Sequence, residues 1–339
     1  MANTPSLELV SSESGGENVQ HLVFRVTRLA DEKEPSFLSL VETAAVSGIR
    51  STEKDDGHDS VCISVKPSCL NTPGCRYCAT GLVSEIEGKS AKQLLPEEVA
   101  DQVRLTVENV RLTRPAFGTH GLSASFMGKG EPGLHARTVA ESLHLLFDEG
   151  LITNSSISTT GMPICLQQLA LALKKELPAE HMPYLQISIH APLDDDRQAL
   201  VRNARFQVGL TEVLDSAAKD YALEILPPGA MISLRLTLMK WGEGKCNFDD
   251  DSLNALAAQV KVMNEKYKLQ GFGGFYVLVA GLNATDLARQ EGIEGVNRDD
   301  LTNTVKALKD MGIDARFFAG DKNSQFSNTP GASGTFGSR

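Results

Sequence analysis

Cysteines are concentrated in one short stretch of the chain, C-I-S-V-K-P-S-C-L-N-T-P-G-C-R-Y-C-A-T-G at positions 62–81. Cys69, Cys75 and Cys78 form a C-x5-C-x2-C run, and Cys62 lies seven residues before it. Three thiolates this close in sequence can bind three irons of a 4Fe–4S cube and leave the fourth iron open. The stretch therefore predicts an iron–sulfur site.

An open iron on a reducing cluster is what cleavage of S-adenosylmethionine (SAM) requires, so this spacing indicates radical-SAM chemistry. The alternative is a structural zinc site, which usually needs four ligands and would take Cys62 or His58 as the fourth. The two remaining cysteines have no predicted role in chemistry. Cys165 lies in an apolar helical pattern and is predicted to be a core residue, and Cys246 lies in a polar loop.

The composition is that of an acidic globular protein, with 339 residues and a formal net charge of −10. No run of about 18 apolar residues is present, so the sequence predicts no membrane span. The N-terminus has no basic region leading into an apolar one, so we expect a cytoplasmic protein without a secretory signal. The acidity favours a small molecule, a nucleotide or a peptide over a large RNA as partner, because nucleic-acid binding usually requires basic patches.

Strand and helix patterns alternate from residue 61 onward. Six strands are predicted, at 61–65, 122–127, 155–160, 184–190, 232–239 and 275–280. Helices are predicted at 96–110, 136–149, 163–176, 210–221, 251–267 and 298–311, and a last short strand at 315–318. This alternation indicates right-handed βαβ units with a parallel sheet. We expect an α/β fold, a partial (β/α)6 TIM-like barrel, with an open doubly wound sheet as the alternative.

The remaining regions divide the chain around that barrel. Residues 1–20 are polar and are predicted to be a disordered lead-in. Residues 21–60 are predicted to be a short N-terminal β-hairpin extension, with strands at 21–26 and 37–45. The barrel is assigned to 61–320, and the Gly/Ser-rich segment 321–339 is predicted to be a flexible tail.

Polar and glycine-rich motifs follow several of the predicted strands, where the active sites of parallel α/β folds lie. They are G-K-G-E-P at 128–132, I-S-T-T-G at 157–161, S-I-H-A-P at 188–192, and Asn283 after the sixth strand. Glycines let a backbone approach a ligand closely, and Glu131 can bind the α-amino group of an amino acid such as SAM. Each motif also has a simpler explanation: a turn, a helix cap, a structural histidine or an ordinary loop residue.

Together the motifs resemble the dual-cysteine radical-SAM methyltransferases that modify adenine in ribosomal and transfer RNA, the RlmN/Cfr type. The resemblance runs from about Leu38 to about Gly320. It is carried by V-E-T-A (41–44), C-I-S (62–64), C-R-Y-C-A-T-G (75–81), F-M-G-K-G-E-P (126–132), I-S-T-T-G (157–161) and S-I-H-A-P-L-D-D-D-R (188–197).

The resemblance implies a 4Fe–4S cluster and SAM as cofactors, and a reducing partner such as flavodoxin or ferredoxin. It assigns the cluster to Cys69, Cys75 and Cys78. It assigns SAM contacts to Gly130, Glu131, Ser158, Ser188, Ile189, His190 and Asn283. It further implies that Glu42 is a proton acceptor and that Cys62 is the thiol that resolves a covalent adduct between substrate and enzyme.

Three departures from the family pattern change the expected function. The cluster loop has two extra residues around Thr72-Pro73-Gly74, no cysteine occurs near Ser327 where the family carries its methyl-bearing cysteine, and only the short hairpin region precedes the barrel. A serine cannot readily replace that thiolate, since it is a far weaker nucleophile at neutral pH.

We therefore expect a radical-SAM enzyme that forms a 5′-deoxyadenosyl radical and abstracts hydrogen from a small molecule, nucleotide or peptide, in specialised metabolism. One alternative is RNA adenine methylation with Cys246 or Cys62 as the methyl carrier. A second alternative is a non-catalytic binding protein stabilised by a metal.

Overall fold

The fold is that of a computed structural model, which describes residues 6–16, 18–29, 39–49, 58–69, 75–78, 92–202, 208–282 and 286–318. Within these ranges, ten strands form one sheet. A small second sheet is made of three two-residue strands: β9 (Lys240–Trp241), β10 (Lys245–Cys246) and β12 (Ile293–Glu294).

The N-terminal part of the large sheet is antiparallel. It consists of β1 (Leu7–Gly16), β2 (Val19–Val26), β3 (Leu40–Ile49) and β4 (His58–Cys62), paired in that order. The predicted strands at 21–26 and 37–45 correspond to β2 and β3. The prediction of a disordered lead-in is wrong for β1, which forms an antiparallel ladder with β2. An edge strand needs only one neighbour for its backbone hydrogen bonds, so polar side chains do not prevent it from forming.

The rest of the sheet is parallel and begins with β4. It continues through β5 (Leu122–Phe126), β6 (Asn154–Thr159), β7 (Tyr184–Ser188), β8 (Met231–Leu238), β11 (Gly274–Gly281) and β13 (Ala315–Phe317). Five of the six predicted parallel strands lie within two residues of their predicted ends, and β13 corresponds to the predicted short last strand. The first, predicted at 61–65, is displaced: β4 ends at Cys62 and overlaps it by only two residues. Within the described ranges β1 and β13 are the two edges, so the sheet is not closed.

Eight helices connect these strands in the described part of the chain. They are α1 (Pro96–Arg111), α2 (Ala136–Asp148), α3 (Pro163–Glu176), α4 (Asp194–Leu200), α5 (Leu210–Ser216), α6 (Asp250–Lys268), α7 (Asp286–Gln290) and α8 (Arg298–Asp310). A π-helical turn at Ala217–Ala222 and a last turn at Leu223–Ile225 extend α5.

Local sequence explains where the helices begin. Pro96 occupies the first turn of α1, where its missing N–H costs nothing, and Glu97 and Glu98 place negative charge at the positive end of the helix dipole. The Asp249 carboxylate accepts a hydrogen bond from the Ser252 N–H at 2.8 Å and caps α6.

The large helices form a single layer, which distinguishes a barrel from a doubly wound sheet. Helix α1 packs on α2, α2 on α3, α3 on α5, α5 on α6, and α6 on α8. In a doubly wound fold such helices would lie on both faces of the sheet. The predicted partial barrel of six β/α units is therefore confirmed, as an open and mostly parallel sheet rather than a closed ring.

The face of the sheet opposite the helices is polar. Ser60 and Ser125 hydroxyls lie 3.1 Å apart, Ser156 donates to Ser125 at 2.9 Å, and Gln186 Nε2 donates to Ser158 Oγ at 2.6 Å. The helix-facing side carries the apolar core, with residues such as Val61 and Ile187 fully buried. Alternation along each strand thus leaves a hydrogen-bonding inner surface for a ligand. No helix in the described ranges is long and apolar enough to cross a membrane.

Candidate active site

One cavity lies where the carboxyl ends of the parallel strands meet the cysteine loop. It is lined by Cys69, Cys75, Tyr77, Cys78, Met127, Gly128, Gly130, Glu131, Ser158, Thr159, Thr160, Ser188, His190, Arg235, Thr237 and Met239. The predicted cluster ligands and most of the predicted SAM contacts therefore line the same cavity. This is the position at which parallel α/β folds bind ligands.

The cysteine loop is fixed at the cavity by backbone contacts. Cys75 forms an isolated antiparallel bridge with Val201, and the N–H of Arg76 donates to the carbonyl of Leu200 at 3.0 Å. Burial, and next the nearby Cys78 and Cys69 thiols, raise the pKa of Cys75. Three neighbouring thiolates repel one another, and a metal or cluster bound to them neutralises that charge.

Arg76, inside the cysteine loop, also contacts the segment that follows the last long strand. Its Nε and its terminal nitrogen donate to the side chain of Glu291 at 3.2 Å and to the Glu291 carbonyl at 2.8 Å. Arg202 lies 3.7 Å from the same carboxylate. The loop after the first parallel strand is thereby tied to the far side of the open barrel.

The G-K-G-E-P turn approaches the chain after β4 so closely that only glycine fits. Gly130 has φ +95°, and a Cβ there would lie 2.7 Å from Val65 Cγ2. A Cβ on Gly128 would lie 2.6 Å from the carbonyl oxygen of Ile63. Two successive strand ends are thus packed backbone to backbone beside the cavity.

Glu131 joins the ends of two strands through its carboxylate. It accepts hydrogen bonds from Gly133 N–H at 3.0 Å, from Thr160 N–H at 2.9 Å and from the Thr159 hydroxyl. Burial raises the pKa of Glu131, while these donors oppose the shift. Helix capping, the simpler explanation for this residue, is therefore present, and the side chain lines the cavity as well.

His190 has a strained backbone at the end of β7, with φ +55°. Such strain typically costs about 1–3 kcal/mol and is tolerated where surrounding contacts fix the conformation. Here Asn247 donates to the His190 carbonyl at 2.6 Å. The Nδ1 atom of the His190 ring is buried and has no hydrogen-bond partner in the described part of the chain. Burial, and then the charge of Arg197, hold the pKa of His190 well below its usual range, so the ring is neutral.

Ile189, beside His190, takes part in the hydrogen bonds around the site through its backbone carbonyl and not through its side chain. Its side chain is fully buried and does not line the cavity. Its carbonyl accepts a hydrogen bond from Arg197 at 2.6 Å, and a second nitrogen of that guanidinium donates to the Thr160 carbonyl at 3.0 Å. Arg197 therefore joins the strand-end loops of β6 and β7.

Glu42 and Cys62 lie outside the cavity wall. They are on the paired strands β3 and β4, where Ala44 is opposite Cys62, so their side chains leave the same face of the sheet. Glu42 Oε1 is 3.8 Å from Lys129 Nζ, and both side chains are buried. Burial raises the pKa of Cys62 to about 11, against a smaller opposite effect of Arg235. Burial lowers the pKa of Lys129 to about 8, against the effect of Glu42.

Some of the predicted features lie outside the described residues. They are Asn283, the Thr72-Pro73-Gly74 turn, Ala79-Thr80-Gly81 and the tail at 321–339. The other two cysteines are described: Cys165 is fully buried, as predicted for a core residue, and Cys246 is half-buried on β10.

The sequence did not identify several residues that the structure places at the site. Tyr77 lines the cavity between two of the cysteines, and its ring lies 5.7 Å from that of His190. Arg235 and Thr237 reach the same wall from β8. Their position two residues apart on a strand was the available signal, because alternate residues share a face. Arg197 and Lys129 were visible only as parts of longer motifs.

The donor set suits a 4Fe–4S cluster, which three thiolates can bind while one iron stays open. Among the residues that the structure describes, no group of three or more His, Cys, Asp or Glu side chains is close enough to hold one ion. The thiolates of a 4Fe–4S site bind three different irons and are therefore spaced further apart than the ligands of one zinc. Cys69, Cys75 and Cys78 line one shared cavity, as the ligands of a single cluster must.

Comparison with known proteins identifies a class of relatives. No protein-family model matches the chain. It is 31% identical over 182 residues to a probable dual-specificity RNA methyltransferase RlmN of Prochlorococcus marinus (strain NATL2A), covering 53% of this chain and 45% of that protein. It is 33% identical over 172 residues to a protein of the same name from Bifidobacterium adolescentis, covering 48% and 40%.

The resemblance to RlmN proteins inferred from the motifs is therefore confirmed over about half of the chain. The chain spans less than half the length of these relatives. Among solved structures, a domain of a pyruvate-formate lyase-activating enzyme from Bacteroides vulgatus covers 57% of this chain and 97% of that one, at 14% identity and a TM-score of 0.38. That likeness is too distant to bear on function.

Proposed function

We propose that the chain is a radical-SAM enzyme that acts on a small molecule, nucleotide or peptide. One observation carries the proposal: Cys69, Cys75 and Cys78 share a cavity with the G-K-G-E-P turn at the carboxyl ends of the strands. These thiols would hold a 4Fe–4S cluster, which would supply the electron for cleavage of SAM to methionine and a 5′-deoxyadenosyl radical. The similarity to proteins named RlmN supports the same chemistry.

The residues opposite the cysteines would bind and orient SAM. Gly130 lets the backbone come close to the ligand, and Glu131 offers carboxylate oxygens that already have a fixed orientation. Ser158 Oγ accepts a hydrogen bond from Gln186, so its own proton can be donated to a ligand acceptor. His190, neutral and with an unused buried nitrogen, can accept or donate one more hydrogen bond.

Cys62 suits a role as a hydrogen or proton donor. Its pKa of about 11 keeps it as the protonated thiol at neutral pH, and a thiol rather than a thiolate carries a hydrogen to donate. Glu42, close to the Lys129 ammonium, suits the role of proton acceptor on the same face of the sheet. Asn283 remains a proposed SAM contact, and a flavodoxin or ferredoxin a proposed reducing partner.

A quantitative analysis of metal and SAM binding tests the assignment of the site. Anaerobically reconstituted protein should contain about four irons with labile sulfide, and it should bind SAM with an affinity that falls in Glu131→Gln. One zinc per chain and no SAM binding would instead identify the alternative, a metal-stabilised binding protein. The Cys246→Ala variant is the control, since Cys246 lies on β10 and is not among the described residues that line the cavity.

RNA methylation is the second candidate, because the relatives are named RNA methyltransferases. It requires another thiol to carry the methyl group, such as Cys246 or Cys62. Mass spectrometry of the purified protein distinguishes the two functions: a methylated cysteine supports RNA methylation, and unmodified cysteines support hydrogen abstraction from a smaller substrate. For either function, we propose that residues 61–320 form the barrel that carries the site.

A further inference from the structure

The cavity contains one strongly basic side chain. Among the described residues that line it, Arg235 is the one arginine or lysine and Glu131 the one aspartate or glutamate. The Glu131 carboxylate accepts three hydrogen bonds from the protein itself. The chain as a whole carries a net charge of −10. The positive charge of Arg235 in this cavity thus contrasts with the net negative charge of the chain.

Arg235 is held in a defined orientation. It lies in the middle of β8, in register with Ser188 on β7 and Leu278 on β11. Its guanidinium carbon is 4.3 Å from the centre of the Phe318 ring. A guanidinium stacked on an aromatic face keeps its N–H donors at its edge, where the planar fork matches the two oxygens of a carboxylate or phosphate.

A hydroxyl on the same strand lines the same cavity as this guanidinium. Thr237 is two residues further along β8, lines the cavity, and therefore shares its face with Arg235. A guanidinium with a neighbouring hydroxyl donor is the chemistry that binds an oxyanion. The residues proposed for the SAM amino group, Gly130 and Glu131, follow β5, so β6 and β7 lie between the two positions.

We propose that Arg235 and Thr237 bind an oxyanion of the substrate, a carboxylate or a phosphate carried by a small molecule. This inference rests on the proposed function, because it places the substrate in the cavity beside the bound SAM. The Arg235 charge is close enough to influence the Cys62 thiol.

Equilibrium dialysis with labelled inorganic phosphate and labelled acetate tests the site directly. Reconstituted full-length protein is used, with and without saturating SAM, and the two probes distinguish phosphate from carboxylate. We expect one probe to bind with SAM present, and Arg235→Gln to weaken that binding about 10- to 100-fold, the range for hydrogen bonds to charged groups. Arg235→Lys should give an intermediate loss of anion binding, since lysine keeps the positive charge but lacks the two parallel N–H donors of a guanidinium.

Arg316→Gln is the matched control. Arg316 also stacks on an aromatic ring, 4.6 Å from the centre of Tyr276, but it is paired with Asp314 at the exposed edge of the sheet. Its loss should leave anion binding unchanged.

Four outcomes would overturn the proposal: neither probe binds wild type, Arg235→Gln binds as wild type does, Arg316→Gln loses binding equally, or SAM displaces the probe. The last would assign Arg235 to the carboxylate of SAM. If Arg235→Gln does not fold, two other measurements test the proposal: the loss of anion binding in Arg235→Lys, and whether SAM displaces the probe from wild type. Formation of 5′-deoxyadenosine by wild type, measured on the same preparation, tests the proposed function separately.

Discussion

Arg76 and Glu291 connect the cysteine loop to the opposite side of the open barrel, through one hydrogen bond to the carboxylate at 3.2 Å and one to the backbone at 2.8 Å. Arg76 lies directly after Cys75, so any movement of this contact moves a proposed cluster ligand. The contact joins the loop after β4 to the segment after β11, with four strands of the sheet between them.

Replacing Glu291 with Gln should therefore loosen the cluster. We expect the visible absorption of the cluster in the reconstituted protein to decay about two to five times faster during dialysis against a chelator, equivalent to the ~0.5–1 kcal/mol of a partly exposed ion pair. Glu294→Gln, at an exposed position on β12, is the control. Equal decay rates in both variants and wild type would show that the contact does not hold the cluster loop.

Gly130→Ala should destabilise the protein and abolish SAM binding. The added Cβ meets Val65 at 2.7 Å, and the backbone has φ +95°. Strain of this kind costs about 1–3 kcal/mol. Gly150→Ala is a matched control, because Gly150 also has positive φ, at +64°, but its added Cβ meets nothing within 4 Å. Thermal unfolding and SAM titration measure both effects, and an equal loss in the two variants would contradict the close-packing explanation.

Lys129→Met should destabilise the protein by about 3–5 kcal/mol at neutral pH, because it leaves the buried Glu42 carboxylate without its nearby cation. The double variant with Glu42→Gln should recover part of the loss. Urea denaturation of the two single variants and the double variant measures the coupling. Strict additivity would mean that the two side chains do not interact.

The same lysine predicts a pH dependence. A folded-state pKa of about 8, lower than the unfolded value of 10.5, means that the unfolded chain binds more protons between these pH values. The stability of wild type relative to Lys129→Met should therefore rise as the pH increases from about 8 to 10.5. A constant or falling difference would contradict the lowered pKa of Lys129.

Cys62 should resist alkylation in the folded protein. A pKa of about 11 leaves roughly one thiolate per thousand molecules at pH 8, and the residue is 5% exposed. Iodoacetamide should therefore modify the half-buried Cys246 well before Cys62, as followed by peptide mass spectrometry. In urea the difference should disappear. Fast native modification of Cys62 would contradict both its burial and its proposed role as a protonated donor.

The order of the elements was predictable because apolar periodicity reports burial directly. Strands such as 122–126 and helices such as 136–148 follow from it. Strand β1 was not predictable in this way, because its S-S-E-S stretch has the composition of a disordered segment. The strand forms by pairing with β2. The strand-end motifs located the cavity because parallel strands bring their carboxyl ends together.

The charged residues of the site were harder to predict. A lone arginine in a strand, such as Arg235, usually lies on a solvated face, and the folded structure is needed to show that it lines a cavity. Lys129 is hidden in a glycine-rich turn, and its contact with Glu42 joins residues 87 positions apart. Such pairs depend on tertiary packing, which the local sequence does not encode.

The central claim is that Cys69, Cys75 and Cys78 support reductive cleavage of SAM. The most direct measurement is 5′-deoxyadenosine produced by reconstituted, dithionite-reduced protein with SAM, quantified by mass spectrometry with candidate carboxylate- and phosphate-bearing substrates. The account predicts product from wild type and from Cys246→Ala, and none from Cys69→Ala, Cys75→Ala or Cys78→Ala. Absence of 5′-deoxyadenosine from wild type under every condition, or its persistence in the three cysteine variants, would contradict the account.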